Sequence, residues 1–198
     1  MVNKTIDYYN KHVSDFCSST QFVNMSAHYD IFEAYLKPGS LILDAGCGVG
    51  RDSRYFNSIG HEVIAFDASE EMVRLSSQVS GIHVIKSTFE DFCTEKVFDG
   101  IWACASLLHL NREILPSVLK RFASFLKPDG IFYMSFKHGD RTYIKDDRYF
   151  NCYDEKSFEQ LIAKLDILKI VNLYQSSDAR KGREDEYWLN AIVKKCSV

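Results

Sequence analysis

Three glycines spaced two apart, Gly46, Gly48 and Gly50, sit in the stretch Asp44-Ala45-Gly46-Cys47-Gly48-Val49-Gly50-Arg51. Without side chains they let the backbone approach a ligand closely, and a helix starting behind them would offer unpaired N–H groups. This is a nucleotide-type cradle. The dinucleotide fingerprint G-x-G-x-x-G would need its third glycine at position 51, where the chain has Arg51. A dinucleotide site is therefore not expected. The pattern is instead D-x-G-x-G-x-G, and a second acid, Asp67, lies 17 residues beyond Gly50, after the apolar segment Val63-Ile64-Ala65-Phe66. A carboxylate at the tip of a neighbouring strand can accept both hydroxyls of a ribose.

Regular elements must hold these residues in place. The apolar run Leu41-Ile42-Leu43, after Pro38-Gly39-Ser40, reads as a buried strand feeding the glycine turn. A crossover helix is expected over 51–59, closed by Gly60, then a strand over 62–67 and a helix capped by Ser69. Strands follow at 83–86 and 98–103, and Asn111 should cap a helix over 112–126, with Pro116 tolerated in its first turn. A fifth strand at 131–136, a helix over 154–165 and two late strands, 167–174 and 187–193, complete the reading. Strand and helix alternate, which implies parallel strands with right-handed crossovers.

These signatures resemble the class I S-adenosylmethionine-dependent methyltransferases. The resemblance also includes Phe98-Asp99-Gly100-Ile101-Trp102-Ala103 and the turn Phe125-Leu126-Lys127-Pro128-Asp129-Gly130-Ile131-Phe132. Gly-Arg-Asp-Ser at 50–53 and Ser-Leu-Leu-His at 106–109 look most like small members of the tellurite-resistance type. The resemblance implies a Rossmann-like α/β fold. Its sheet would have seven mostly parallel strands, the last antiparallel, with helices on both faces. The cofactor would be S-adenosyl-L-methionine and the product S-adenosyl-L-homocysteine. It places the glycine loop, with Asp44, Gly46, Cys47, Gly48, Gly50 and Arg51, behind the methionine part and Asp67 on the ribose, with Ala68 and Met72 also in the cofactor site. Ala103 would end the fourth strand against the cofactor. For adenine the family often uses an aspartate after the third strand; here Ser87, Thr88 and Phe89 stand there, leaving Thr88 to hydrogen-bond and Phe89 to stack or give its N–H.

The acceptor side is read from loops at the carboxyl ends of strands, where open α/β folds gather ligands. His109 can serve as a general base, since an imidazole titrates near neutral pH, or as a structural hydrogen-bonder. Ser106, Lys137, Arg180 and Trp188 are candidates to touch the substrate, with Asp178 and Asn190 beside the last two. Their alternative is a surface ion-pair loop and a packed last strand. Residues 6–16 show helical spacing of Ile6, Tyr8, Tyr9, Val13 and Phe16, and a second helix is expected over 25–36. In the family such a segment caps the cofactor pocket, so Tyr8 and Tyr9 are candidates for substrate contact; the alternative is an amphipathic helix packing its aromatics on the core. Residues 140–153 read as a long polar and aromatic loop, a lid over a small molecule.

With 198 residues, 46% hydrophobic, the chain suits one domain over 1–198, residues 1–36 forming the helical cap. A net charge of −3 gives no global attraction to polyanions, so a nucleic-acid partner would need a local basic patch. Six scattered cysteines show no metal spacing and fit reduced thiols in the cytoplasm. No metal is expected, and Cys47 reads as a small packed residue rather than a nucleophile. No stretch reaches the ~18 apolar residues of a membrane span. The expected activity is methyl transfer to an O, N or S atom of a small molecule by in-line displacement, from a monomer or homodimer. RNA- or protein-directed transfer and a non-catalytic cofactor-binding regulator are the alternatives.

Overall fold

Residues 2–196 are described by the computed structural model. Met1, Ser197 and Val198, which the single-domain span includes, lie outside the described residues. Two apolar faces on each central strand build the architecture. In β1 (Leu41–Ala45), β4 (Phe98–Ala103) and β5 (Leu126–Lys137), neighbouring residues point to opposite faces, and both faces are buried. Leu43, Ile101 and Phe132 join one core with α6 (Leu115–Ser124) and α7 (Glu155–Ala163). Ile42, Trp102 and Tyr133 join the other with α3 (Ser26–Glu33) and α4 (Arg51–Ser58). Trp102 and Tyr133 stack there with centroids 3.8 Å apart.

The sheet has seven strands in the order β3-β2-β1-β4-β5-β9-β8, with β2 at Glu62–Asp67, β3 at Val84–Lys86, β8 at Leu168–Ser177 and β9 at Tyr187–Lys195. β1 pairs in parallel with both β2 and β4, and β9 alone runs antiparallel, against β5 and β8. This is the expected Rossmann-like methyltransferase sheet, and its strand order reverses between β1 and β4. The crevice of such a fold lies at the carboxyl ends of those two strands.

Four local expectations differ from the structure. The N-terminal helix is two helices, α1 (Val2–Lys11) and α2 (Val13–Thr20). The break falls at His12, whose Nδ1 bonds the Tyr8 carbonyl at 2.8 Å while its ring stacks on Tyr8. α6 starts at Leu115, not after Asn111, because Asn111 closes a local turn by accepting from the Glu113 N–H at 3.0 Å and Pro116 then sets the first helical turn. Leu126 belongs to β5, paired with Phe98, and no longer to the helix. Residues 140–153 are not an open loop: β6 (Thr142–Lys145) and β7 (Arg148–Asn151) pair as a hairpin, turned by Asp146 and Asp147, both with positive φ.

Candidate active site

The glycine turn is shaped by what surrounds it. Gly46 and Cys47 both donate to the Phe66 carbonyl, at 2.9 and 3.0 Å, which folds the turn against β2. Gly46 has φ +76°, and a Cβ there would stand 2.5 Å from the Ser106 Cβ. Only glycine leaves this cradle open. Gly50, at φ +79°, ends the turn where α4 begins and presses on Ser76 of α5 (Glu70–Ser80).

Asp67 is held facing the cradle by two backbone donors, Gly48 N–H on Oδ2 and Ser69 N–H on Oδ1, both at 2.9 Å. Burial raises its pKa, with these N–H groups pulling the other way. Ser69 caps α5 by accepting from Met72 N–H, and its hydroxyl donates to Asn10 Oδ1 at 2.7 Å. The first helix is thereby fastened to the cradle.

Behind the turn stands Asp44, which accepts from the Ser53 hydroxyl at 2.6 Å and is buried. Desolvation, then the neighbouring Asp52, holds its pKa well above the usual carboxylate range. Asp52 accepts from Arg51 Nε at 2.6 Å and Nη2 at 2.9 Å, from Tyr29 at 2.5 Å and from Trp102 at 2.9 Å. Burial alone would raise Asp52; the Arg51 charge and these donors outweigh it and bring it down. The thiols of Cys47 and Cys104 are pushed up by desolvation, Cys104 to about 12, so neither is a nucleophile.

On the opposite side, His109 ends a 3₁₀ turn, Leu107–His109, after β4. Its Nδ1 bonds the Tyr149 carbonyl at 2.7 Å and its Nε2 the Tyr9 hydroxyl at 2.8 Å. A carbonyl only accepts, so the hydrogen-bond network assigns the proton to Nδ1, and Tyr9 donates to Nε2. Burial lowers His109 to about 4 and raises Tyr9 to about 12. Both stay neutral near pH 7.

A third cluster hangs from β5 and the β8–β9 connection. Arg180 grips Asp178 with Nε at 2.9 Å and Nη2 at 2.5 Å, and Trp188 Nε1 adds a bond at 3.0 Å. Lys137 lies 3.5 Å from Asp178, pairs with Glu186 and sits 4.5 Å over the Trp188 ring. Burial would push Asp178 up, but the Arg180 bonds hold it far below the ordinary carboxylate range.

One cavity of about 390 Å³ runs from the cradle to this cluster. Gly46, Cys47, Gly48, Arg51, Asp67, Ala68, Met72, Thr88 and Phe89 line one end, and Tyr8, Tyr9, Ser106, His109, Lys137, Arg180 and Trp188 line the rest. Asp44, Gly50 and Ala103 do not line it: Asp44 braces the turn, Gly50 starts α4 and Ala103 is buried in β4. The Thr88 hydroxyl is committed to Asp91 at 2.7 Å. Sequence reasoning missed Asp52, Arg148 and the Tyr149 carbonyl. The adjacency of Arg51 and Asp52 was a signal for the first; the other two lie in the segment read as a lid, but nothing local marks which of its residues face the cavity.

The family model described as a methyltransferase domain matches residues 42–130. Phosphoethanolamine N-methyltransferase 1 of Zea mays is 30% identical over 142 residues, 64% of this chain and 28% of that protein. The "Probable S-adenosyl-L-methionine-dependent methyltransferase TehB" of Haemophilus influenzae is 27% identical over 115 residues, 54% of this chain and 40% of its own. The chain thus spans less than half of these curated relatives. A crystal structure of 1,6-didemethyltoxoflavin-N1-methyltransferase from Burkholderia thailandensis, with bound 1,6-didemethyltoxoflavin and S-adenosylhomocysteine, superposes with a TM-score of 0.78 at 24% identity. That match covers 97% of this chain and 85% of the other. The open cradle at Gly46, the carboxylate of Asp67 beside it and the apolar wall of Met72 and Phe89 fit that family's cofactor, S-adenosylmethionine. The fold is that of the class I S-adenosylmethionine-dependent methyltransferases, residues 42–130 match the methyltransferase-domain model, and the small TehB type is among the proteins the chain resembles.

Proposed function

We propose that the chain transfers a methyl group from S-adenosylmethionine to an oxygen, nitrogen or sulfur atom of a small molecule. The observation that carries this reading is the single cavity joining the glycine cradle to a polar pocket. When bound, the cofactor supplies an electrophilic methyl group on a sulfonium. The chain's own work is to hold, align and exclude water, which in-line displacement mostly requires. Asp67 holds the ribose, the turn at Gly46 and Gly48 backs the methionine part, and α1 with the hairpin covers the acceptor. Helices within residues 1–36 are then the cap of one catalytic domain.

His109 acts here by positioning rather than as a base. Passing the Tyr9 proton, at about 12, to His109, at about 4, costs on the order of 10 kcal/mol. Its part is to fix the Tyr9 hydroxyl over the cavity. All six cysteines are unpaired thiols, which supports work in the reducing cytoplasm. Among the described residues no helix is long and apolar enough to cross a membrane.

The test is transfer of a labelled methyl group from S-adenosylmethionine into a cell extract then separated into small-molecule, RNA and protein pools. Label in small molecules, lost with Asp67→Ala, is expected. Label confined to RNA or protein would overturn the acceptor class.

A further inference from the structure

The charges along the cavity are unevenly spread. At the acceptor end Lys137, Lys145, Arg148, Arg180 and Arg183 face Asp146, Asp178 and Glu186, while the cradle end carries Asp67 and Glu90. Arg51 and Asp52 cancel between them. Glu186 and Asp178 balance Lys137 and Arg180, with Arg183 sharing Glu186 at 3.6 Å, and on the hairpin Lys145 and Arg148 outnumber Asp146, so the excess is divided between the two. Among the described residues Lys145 makes no ion pair, and Arg148 pairs with Asp146, an exposed residue, at 3.1 Å.

Arg148 is also built as a rigid donor. Its guanidinium carbon lies 4.0 Å from the centre of the Tyr8 ring and 5.3 Å from that of Phe150, so it packs between aromatic rings of α1 and β7. Nη2 donates to Asp146 and the guanidinium also hydrogen-bonds the Tyr9 hydroxyl, whereas Nε is buried without an acceptor among the described residues. A half-buried guanidinium with its Nε–H unmet is costly, and it is the side chain best suited to grip a carboxylate or phosphate in two places. Its charge also reaches the Tyr9 hydroxyl, on which Arg180 acts from the other side.

We infer that the acceptor is a small-molecule acid whose carboxylate or phosphate docks against Arg148, with Lys145 drawing it in from the rim. The inference rests on the methyltransferase reading of the same cavity and adds the chemical class of the acceptor. A neutral or cationic acceptor would leave the Arg148 donors unmet and meet an excess of positive charge.

A cell extract is passed over an anion exchanger before the reaction, and the retained and unretained small-molecule pools are each offered to the full chain with labelled S-adenosylmethionine. Acceptor activity in the retained pool, reduced at least tenfold by Arg148→Met, is expected. The methionine keeps the apolar stem between Tyr8 and Phe150, and S-adenosylhomocysteine binding within twofold of wild type shows that the variant is folded. Acceptor activity drawn only from the unretained pool, or undiminished in Arg148→Met, overturns the inference. Independently of turnover, the S-adenosylhomocysteine-saturated protein is titrated with benzoate, succinate and inorganic phosphate beside benzamide and succinamide. Tighter binding of acid than amide, abolished in Arg148→Met, supports the inference; equal binding of acid and amide sinks it. Failure of S-adenosylhomocysteine to bind at all would instead strike the underlying methyltransferase reading.

Discussion

The two ends of the cavity are built by different means. The cradle end comes mostly from one continuous stretch, β1 through α5, joined by Thr88 and Phe89 after β3, and its key bonds are made by backbone: Gly46 and Cys47 to Phe66, Gly48 and Ser69 to Asp67. The acceptor end is assembled from four distant segments, where Tyr9 of α1 meets His109 a hundred residues away and His109 meets the carbonyl of Tyr149. Backbone geometry tolerates almost no change, whereas side-chain clusters can be exchanged singly. A family built this way can keep one cofactor while its acceptors diverge.

The strongest way to break this contrast is at the cradle. Gly46→Ala places a Cβ against Ser106 at a positive φ, and we expect cofactor affinity to fall beyond calorimetric detection, with unfolding at lower temperature. Retained affinity would show that the turn relaxes and is not the rigid half. Next, Asp67→Ala removes a charged acceptor for a ribose and strands the N–H groups of Gly48 and Ser69. A loss of at least a hundredfold in S-adenosylhomocysteine affinity, about 3 kcal/mol, is expected from calorimetry.

At the acceptor end the expected effects are smaller and spare the cofactor. Tyr9→Phe leaves His109 Nε2 without its donor, at about 1–2 kcal/mol of stability by denaturant titration, with cofactor affinity within twofold. A large loss of cofactor binding would mean that the two ends are not separable.

His109 also gives a pH signature. Its folded pKa, near 4, lies below the unfolded value near 6.5, so the unfolded chain takes up the proton first. The contribution of neutral His109 is present above about pH 6.5 and is lost as pH falls towards 4. Asp44, raised by burial, acts in the opposite sense, favouring the fold at low pH and opposing it as pH rises. The difference between wild type and His109→Gln isolates the histidine: the variant's stability should fall less steeply between pH 6.5 and 4. Identical slopes would place the His109 titration elsewhere. The smallest effect is at the hairpin turn, where Asp147→Gly relieves a φ of +59° and should add about 0.5 kcal/mol, seen as a slight rise in Tm.

The same contrast explains what the sequence disclosed. β2 at Glu62–Asp67 and β4 at Phe98–Ala103 were legible to the residue, because an apolar run bounded by turns has few other uses. The Ser69 cap, the start of the last helix at Asp154 and the antiparallel last strand were legible too. The hairpin was not, since its turn is Asp146-Asp147 rather than Asn-Gly and its strands alternate charges with aromatics. The split of the first helix depended on the ring of His12 reaching back to Tyr8, which spacing does not encode. At the site, the residues lining the cradle could be read from one local pattern. The partners of His109 could not, because one is a backbone carbonyl that any residue type would supply.

The first helix touches both halves. Asn10 is tied to Ser69 beside the cradle, while Thr5 accepts from the Tyr149 N–H and Lys4 pairs with Asp147 on the hairpin. One element therefore ties the cradle to the hairpin, so a change in α1 is felt at both ends of the cavity.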